Sequence, residues 1–162
     1  MYDKKRNSQI ISDVIKEFDK GHKCLVISSR KEHCEILFKI LKEKVKGVSV
    51  VTGDYSRKVV QERINIFSRK RIPQIMVATF DLIGEGFDVP DIDRAFLALP
   101  LRSDARIKQL IGRIQRPSPG KKDAILFDYV DSGVGVLVNQ FKGRKQCRYR
   151  SYMDLGINVR NI

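Results

Sequence analysis

Apolar residues recur along this chain in two alternating rhythms. Ile10, Ile11, Val14, Ile15 and Phe18 fall on one stripe at helical spacing, and Gly21 marks where that helix stops. KCLVIS, residues 23–28, is instead an unbroken apolar run of the kind a strand buried on both faces shows. A helix over 31–45 follows, with Ile36, Leu37, Ile40 and Leu41 on its inner side and Gly47 as its stop. VSVV (48–51) reads as a second strand. Ser56 then caps a helix whose Val59, Val60, Ile64 and Phe67 face inward, and Pro73 closes it. QIMVA (74–78), DRAFLAL (93–99) and AILFDYV (124–130) supply three more strands, with helices over 104–116 and 134–142.

Strands alternating with crossover helices predict an α/β fold with a mostly parallel sheet covered by helices on both faces. At 162 residues the chain suits one such domain. The lobe is expected over residues 1–143, followed by a basic extension over 144–162 in which RKQCRYR loses clear periodicity. RPSPGKKD (116–123) is read as an exposed turn between a helix and a strand.

Lys and Arg number 32 against 19 Asp and Glu, so the formal charge is 32 − 19 = +13. That excess suits a polyanionic partner or a well-solvated surface equally, and only placement decides between them. Cys24, Cys34 and Cys147 cannot all pair within one chain, which predicts reduced thiols and a cytoplasmic setting. No Cys/His ladder has zinc spacing, so no metal site is expected, and His33 beside Cys34 reads as structural. No apolar run approaches a membrane span, and no membrane partner is expected.

Polar loops at the carboxyl ends of parallel strands form the ligand crevice in such sheets. Ser28, Ser29 and Arg30 follow the first strand, Thr52 and Gly53 the second, and Thr79 the third; the helix bearing Arg113 and Arg116 follows the fourth. All four groups are expected on one rim. With Arg106 at zero, Ile107, Leu110, Ile111 and Ile114 fall at about 100°, 40°, 140° and 80° around the 104–116 helix. Gln109, Arg113 and Arg116 fall on the opposite side, at about 300°, 340° and 280°. Two planar forks on adjacent turns suit phosphate oxygens, although such pairs also occur on ordinary solvated faces. Gly112 in mid-helix predicts that something approaches closely there.

QLIGRIQR (109–116) resembles motif VI of superfamily 2 helicases, and VATFDLIGEGFDVPDID (77–93) resembles their motif V. The SSR after the first strand resembles motif IV, and TGD after the second resembles the small nucleic-acid-contacting motif that follows it. These four stand in the family's order and span residues 23–131. The chain is therefore identified as resembling the second RecA-like lobe, a three-layer αβα domain.

The resemblance implies that Arg113 and Arg116 act as arginine fingers on a γ-phosphate, with Gln109 contacting it or coupling its presence to the nucleic-acid track. It implies that Glu85, Gly86 and Asp88 lie near the nucleotide. Ser28, Ser29, Arg30, Thr52, Gly53 and Thr79 correspond to positions that contact the nucleic-acid backbone. Glu85, Gly86, Phe87 and Asp88 read EGFD rather than the ARGxD of DEAD-box RNA helicases, which favours the DNA-directed branch and DNA over RNA as partner. No G-x-x-x-x-G-K-[ST] and no D-E-x-[DH] occurs, so ATP with Mg2+ is expected to be held mainly by an N-terminal RecA-like lobe, in cis or on a partner subunit. By itself the chain is expected to be inactive. The rival readings are a DEAD-box-like RNA helicase lobe, a non-catalytic basic nucleic-acid-binding module, and a stand-alone Rossmann-type or phosphotransfer enzyme; the last lacks a glycine-rich loop after its first strand.

Overall fold

A computed structural model describes residues 3–69, 73–84, 87–100, 103–130, 138, 141–142 and 148–160. The elements are α1 (Lys4–Asp19), β1 (Lys23–Ser28), α2 (Lys31–Lys44), β2 (Val48–Val51), α3 (Arg57–Arg69), β3 (Gln74–Thr79), α4 (Phe80–Gly84), β4 (Arg94–Leu97), α5 (Asp104–Ile114), β5 (Ile125–Asp128) and α6 (Arg148–Asp154). The strands form one sheet in the order β2-β3-β1-β4-β5, parallel at every pairing.

Strand side chains alternate between two cores, as the period of two requires. Cys24 and Val26 of β1 join Val50, Ile75, Val77 and Phe96 against α1 and α2. Leu25 and Ile27 join Val51, Met76, Ala78 and Leu97 against α3, α4 and α5. The three-layer αβα arrangement expected of a RecA-like lobe is therefore present. The stripe read on α5 is the buried one: Ile107, Leu110, Ile111 and Ile114 are each at most 3% exposed. Truncating any of them to Ala would cost about 2 to 5 kcal/mol by the lost transfer and the cavity left behind.

Four boundaries differ from the reading of the sequence. β4 and β5 are shorter, although backbone bonds continue past both ends of β4, where the Ala98 amide donates to the Ile27 carbonyl at 2.8 Å and the Ile125 amide to the Asp93 carbonyl at 2.9 Å. Phe80–Gly84 turns directly into a helix after β3, where only a glycine-containing loop was expected. α5 closes at Ile114 with Gln115 as its C-cap, so Arg116 sits just beyond the helix. Most of the helix expected over 134–142 lies outside the described residues.

The segment from Arg148 is a second departure. Tyr152 is 4% exposed and Arg148 1% exposed, and Tyr152 belongs to the α5-side core. Arg148 Nε donates to Asp128 Oδ2 at 2.7 Å, and Tyr152 Oη donates to the same oxygen at 2.8 Å. The Arg148 guanidinium also lies 5.5 Å from the Phe141 ring centroid. Within the basic extension expected over 144–162, this helix is fastened to the end of β5.

Candidate functional site

All five strands point the same way, so Ser28, Thr52 and Thr79 gather at one rim, with Ser28 in register with Thr79. Exposure divides this group. Ser29, Arg30 and Gly53 are exposed, whereas Ser28, Thr52 and Thr79 are buried. The Ser28 hydroxyl supports the backbone of the rim, whereas the buried Thr52 hydroxyl has no hydrogen-bond partner among the described residues; the exposed residues can touch a ligand.

Ser28 shows how that support is built. Its Oγ accepts from the Arg30 amide at 3.2 Å and lies 3.1 Å from His33 Nδ1. His33 Nε2 is 2.9 Å from Asn7 Oδ1. With Asn7 Oδ1 as acceptor, Nε2 carries the ring proton and Nδ1 accepts from the serine hydroxyl. Burial first, and then the cations Arg6 and Arg30, lower the His33 pKa to about 4, so the ring is neutral near pH 7. His33 and Cys34 are both buried and structural, and burial also pushes the Cys34 thiol up to about 12. Sequence reasoning missed the Asn7–His33–Ser28 relay, because its members lie on three elements and no local pattern joins them.

A second rim contact joins the first two loops. Lys31 Nζ pairs with Asp54, and a Cβ placed on Gly53 would stand 3.4 Å from Lys31 Cε. Thr52 accepts the Tyr55 amide through its carbonyl at 3.2 Å, which closes the turn below Gly53.

The arginines of α5 are elsewhere. α5 begins beside the end of β3, where Arg106 meets Asp81 at 3.1 Å and the Phe80 ring at 5.3 Å. It then runs back against the strand direction, and its far end is joined to the start of β5. Arg113 is therefore about 10 Å further along the axis than Arg106, at 1.5 Å per residue. The expectation that Arg113 and Arg116 share the rim with Ser28, Thr52 and Thr79 is corrected by this antiparallel course. They flank the loop that descends from α4 to β4.

Both guanidiniums touch that loop. Arg113 Nη1 donates to the Phe87 carbonyl, and Arg116 Nη1 pairs with the Asp88 carboxylate. The Arg116–Asp88 pair is open to solvent, with side chains 50% and 67% exposed. Arg116 is thus exposed while paired, and Arg113 is half-buried against the same loop. Asp88 lies against Arg116, and Glu85 and Gly86 lie outside the described residues. Gln109 and Gly112 are exposed. Among the described residues nothing comes within 4 Å of a Cβ on Gly112, so whatever approaches there is not a described part of this chain.

Lys121, in the turn after α5, donates to the Pro90 carbonyl at 2.8 Å and the Arg116 carbonyl at 3.0 Å. From sequence this lysine belongs simply to the exposed turn over 116–123. A lysine one residue after Gly120, whose φ of +84° reverses the chain, was the available signal.

Part of the basic excess is internal. Lys23 pairs with Asp91, Arg94 with Glu17 at 2.7 Å and with Asp123 at 2.7 Å, and Arg148 with Asp128. Among the described residues no group of three or more His, Cys, Asp or Glu could hold a metal ion, and no helix is long and apolar enough to cross a membrane.

The family model of the helicase conserved C-terminal domain matches residues 6–118. Transcript termination protein A18 of vaccinia virus is 26% identical over 169 residues, covering 94% of this chain and 34% of that protein. The fowlpox virus protein of the same name is 26% identical over 145 residues, covering 84% of this chain and 31% of that protein. The chain thus spans about a third of the length of these curated relatives. Among solved structures, T4 UvsW superposes with a TM-score of 0.70 at 21% identity, covering 93% of this chain and 32% of that one. The L327V variant of S. cerevisiae Dbp5 bound to RNA and ADP BeF3 superposes with a TM-score of 0.68 at 16% identity, covering 94% and 37%. With the matched model running from within α1 to just past α5 and the fold agreeing, the chain belongs to the helicase conserved C-terminal domain family.

Proposed function

We propose that this chain is the nucleic-acid-gripping and phosphate-sensing lobe of an ATP-dependent helicase or translocase, with DNA as its track. The observation that carries the reading is the separation of two surfaces. Exposed Ser29, Arg30 and Gly53 stand on the strand-end rim, while Arg113 and Arg116 stand beside Phe87 and Asp88 at the far end of α5. A strand on the rim and a nucleotide beside α5 can then be held at the same time, as coupling between them requires.

On this reading Ser29, Arg30 and Gly53 meet the sugar-phosphate backbone without reading sequence, and Thr79 supports the rim from below. An N-terminal RecA-like lobe presents ATP with Mg2+, whose hydrolysis supplies the free energy. Arg113 and Arg116 exchange their contacts with the Phe87 carbonyl and Asp88 for phosphate oxygens, and Gln109, exposed one turn earlier, monitors the same group. Glu85, Gly86 and Asp88 line the nucleotide side. Because the Arg116–Asp88 pair is solvent-exposed, releasing it costs about 1 kcal/mol or less.

The test is nucleic-acid-stimulated ATP hydrolysis by the two-lobed enzyme, with single-stranded DNA, duplex DNA and RNA compared. Arg113→Ala and Arg116→Ala should each lower kcat by about 10³-fold or more. Arg30→Ala should weaken nucleic-acid binding and reduce its salt dependence while leaving the unstimulated rate intact. Unchanged kcat in both finger variants would remove the phosphate-sensing role, and stronger stimulation by RNA would replace DNA as the track.

A further inference from the structure

α5 stops at Ile114, so its last carbonyls have no donor within the helix. The chain turns back through Gly120 and brings Lys121 beneath that end. Its ammonium donates to the Ile114 carbonyl at 2.5 Å and the Arg116 carbonyl at 3.0 Å. The third contact, to the Pro90 carbonyl at 2.8 Å, leaves α5 altogether. An ammonium has three N–H donors, and all three are committed. A lysine serving only as a cationic helix cap would need the first two.

Pro90 belongs to the same loop as Phe87 and Asp88, the partners of Arg113 and Arg116. The loop and the end of α5 are therefore joined by two arginines and by Lys121. The arginine contacts are the ones that a phosphate must displace. Those of Lys121 lie on backbone oxygens and need not change. Burial lowers the Lys121 pKa, with Asp93 and Asp91 acting in the opposite sense.

We propose that Lys121 is a positioning residue that pins the Phe87–Pro90 loop to the end of α5, so that Arg113 and Arg116 keep their orientation when they let go of that loop. Its significance for turnover rests on the phosphate-sensing reading given above; the pin itself does not.

Amide hydrogen exchange on the 162-residue chain tests the pin. Lys121→Met should raise exchange about tenfold or more in both 87–92 and 113–118, with Lys23–Ser28 unchanged. Lys121→Arg keeps the charge, but its planar fork cannot converge three donors on one point, so it should restore 113–118 and leave 87–92 loose. Loosening of 113–118 alone in Lys121→Met, or of neither segment, would make Lys121 a helix cap and overturn the proposal. If Lys121→Met does not fold, the unsubstituted protein decides: the Lys121 ammonium should give a slowly exchanging 15N signal, and an ammonium exchanging like the surface lysines overturns the pin. In the two-lobed enzyme Lys121→Met should lower kcat about tenfold with KM for ATP unchanged. A raised KM with intact kcat overturns the positioning role. Should Arg113→Ala and Arg116→Ala leave kcat intact, the phosphate-sensing reading fails while the exchange result still judges the pin.

Discussion

The guanidinium of Arg116 rests on the carboxylate of Asp88, 28 positions earlier, and both side chains are at least half open to water. Such a pair sits in a high dielectric and contributes about 1 kcal/mol or less to stability. It restrains Arg116 without burying it, which is compatible with the exchange of contacts proposed above.

Asp88→Asn should therefore shift the thermal midpoint of the chain by no more than roughly 4 °C. On the phosphate-sensing reading proposed above, the same substitution should lower turnover of the two-lobed enzyme about tenfold or more, because Arg116 loses its resting partner. Calorimetry and a steady-state ATPase assay check the two halves. A large loss of stability with unaltered turnover would place Asp88 among structural residues only.

Gly112 invites the opposite pairing of effects. It lies inside α5, exposed, with open space where a Cβ would stand. Gly112→Ala should add about 0.5 to 1 kcal/mol of helix stability and raise the thermal midpoint by roughly 1 to 4 °C. If another lobe or a nucleotide approaches that surface, the added methyl should reduce ATP turnover in the assembled enzyme. A more stable variant with full activity would show that nothing needs the gap.

How the molecule could be read from its sequence follows the same division between local and non-local causes. KCLVIS and QIMVA declare buried strands by themselves, and the α5 stripe is declared by spacing, since 3.6 residues per turn is a local property. The order β2-β3-β1-β4-β5 is not local, because nothing within VSVV says that it pairs with β3 rather than β1. The placement of Arg113 and Arg116 at the rim overlooked the direction of travel of α5: a crossover helix leaves the rim, so only its first turn stays there. Arg148 was hidden for another reason. Charge-dense sequence reads as solvated, and the partners that make burial tolerable, Asp128 and Tyr152, appear only once the chain is folded.

That burial makes Asp128 critical. Arg148 is 1% exposed, and its guanidinium meets the Asp128 carboxylate and the Phe141 ring. Asp128→Ala leaves a buried guanidinium without its counter-ion, a change that costs about 3 to 5 kcal/mol. The thermal midpoint should fall by roughly 6 to 20 °C. Replacing Asp128 and Arg148 together by apolar residues should recover much of the loss, since removing both charges also removes the desolvation cost. Equal loss in the single and double variants would mean that the ion pair is not what fastens α6 to β5.

His33 makes the stability of the rim depend on pH. In the fold it is buried, 1% exposed, and its pKa is lowered from 6.5 to about 4 by burial, with Arg6 and Arg30 adding to the effect. The unfolded chain therefore takes up the proton first as pH falls, and stability rises with pH wherever the unfolded state binds more protons. Nothing is lost above about pH 6.5; the loss accumulates between about 6.5 and about 4 and totals about 3 kcal/mol when complete. Protonation also ends the relay as built, because Nδ1 would become a donor facing the Ser28 hydroxyl and could no longer accept from it. His33→Gln removes the titration while keeping one donor and one acceptor. Urea unfolding of both proteins from pH 4 to 7 should show the wild type losing more stability toward acid, with the difference confined to that window. Parallel curves would mean that the acid sensitivity belongs to the carboxylates and that the His33 ring is not held neutral by its burial.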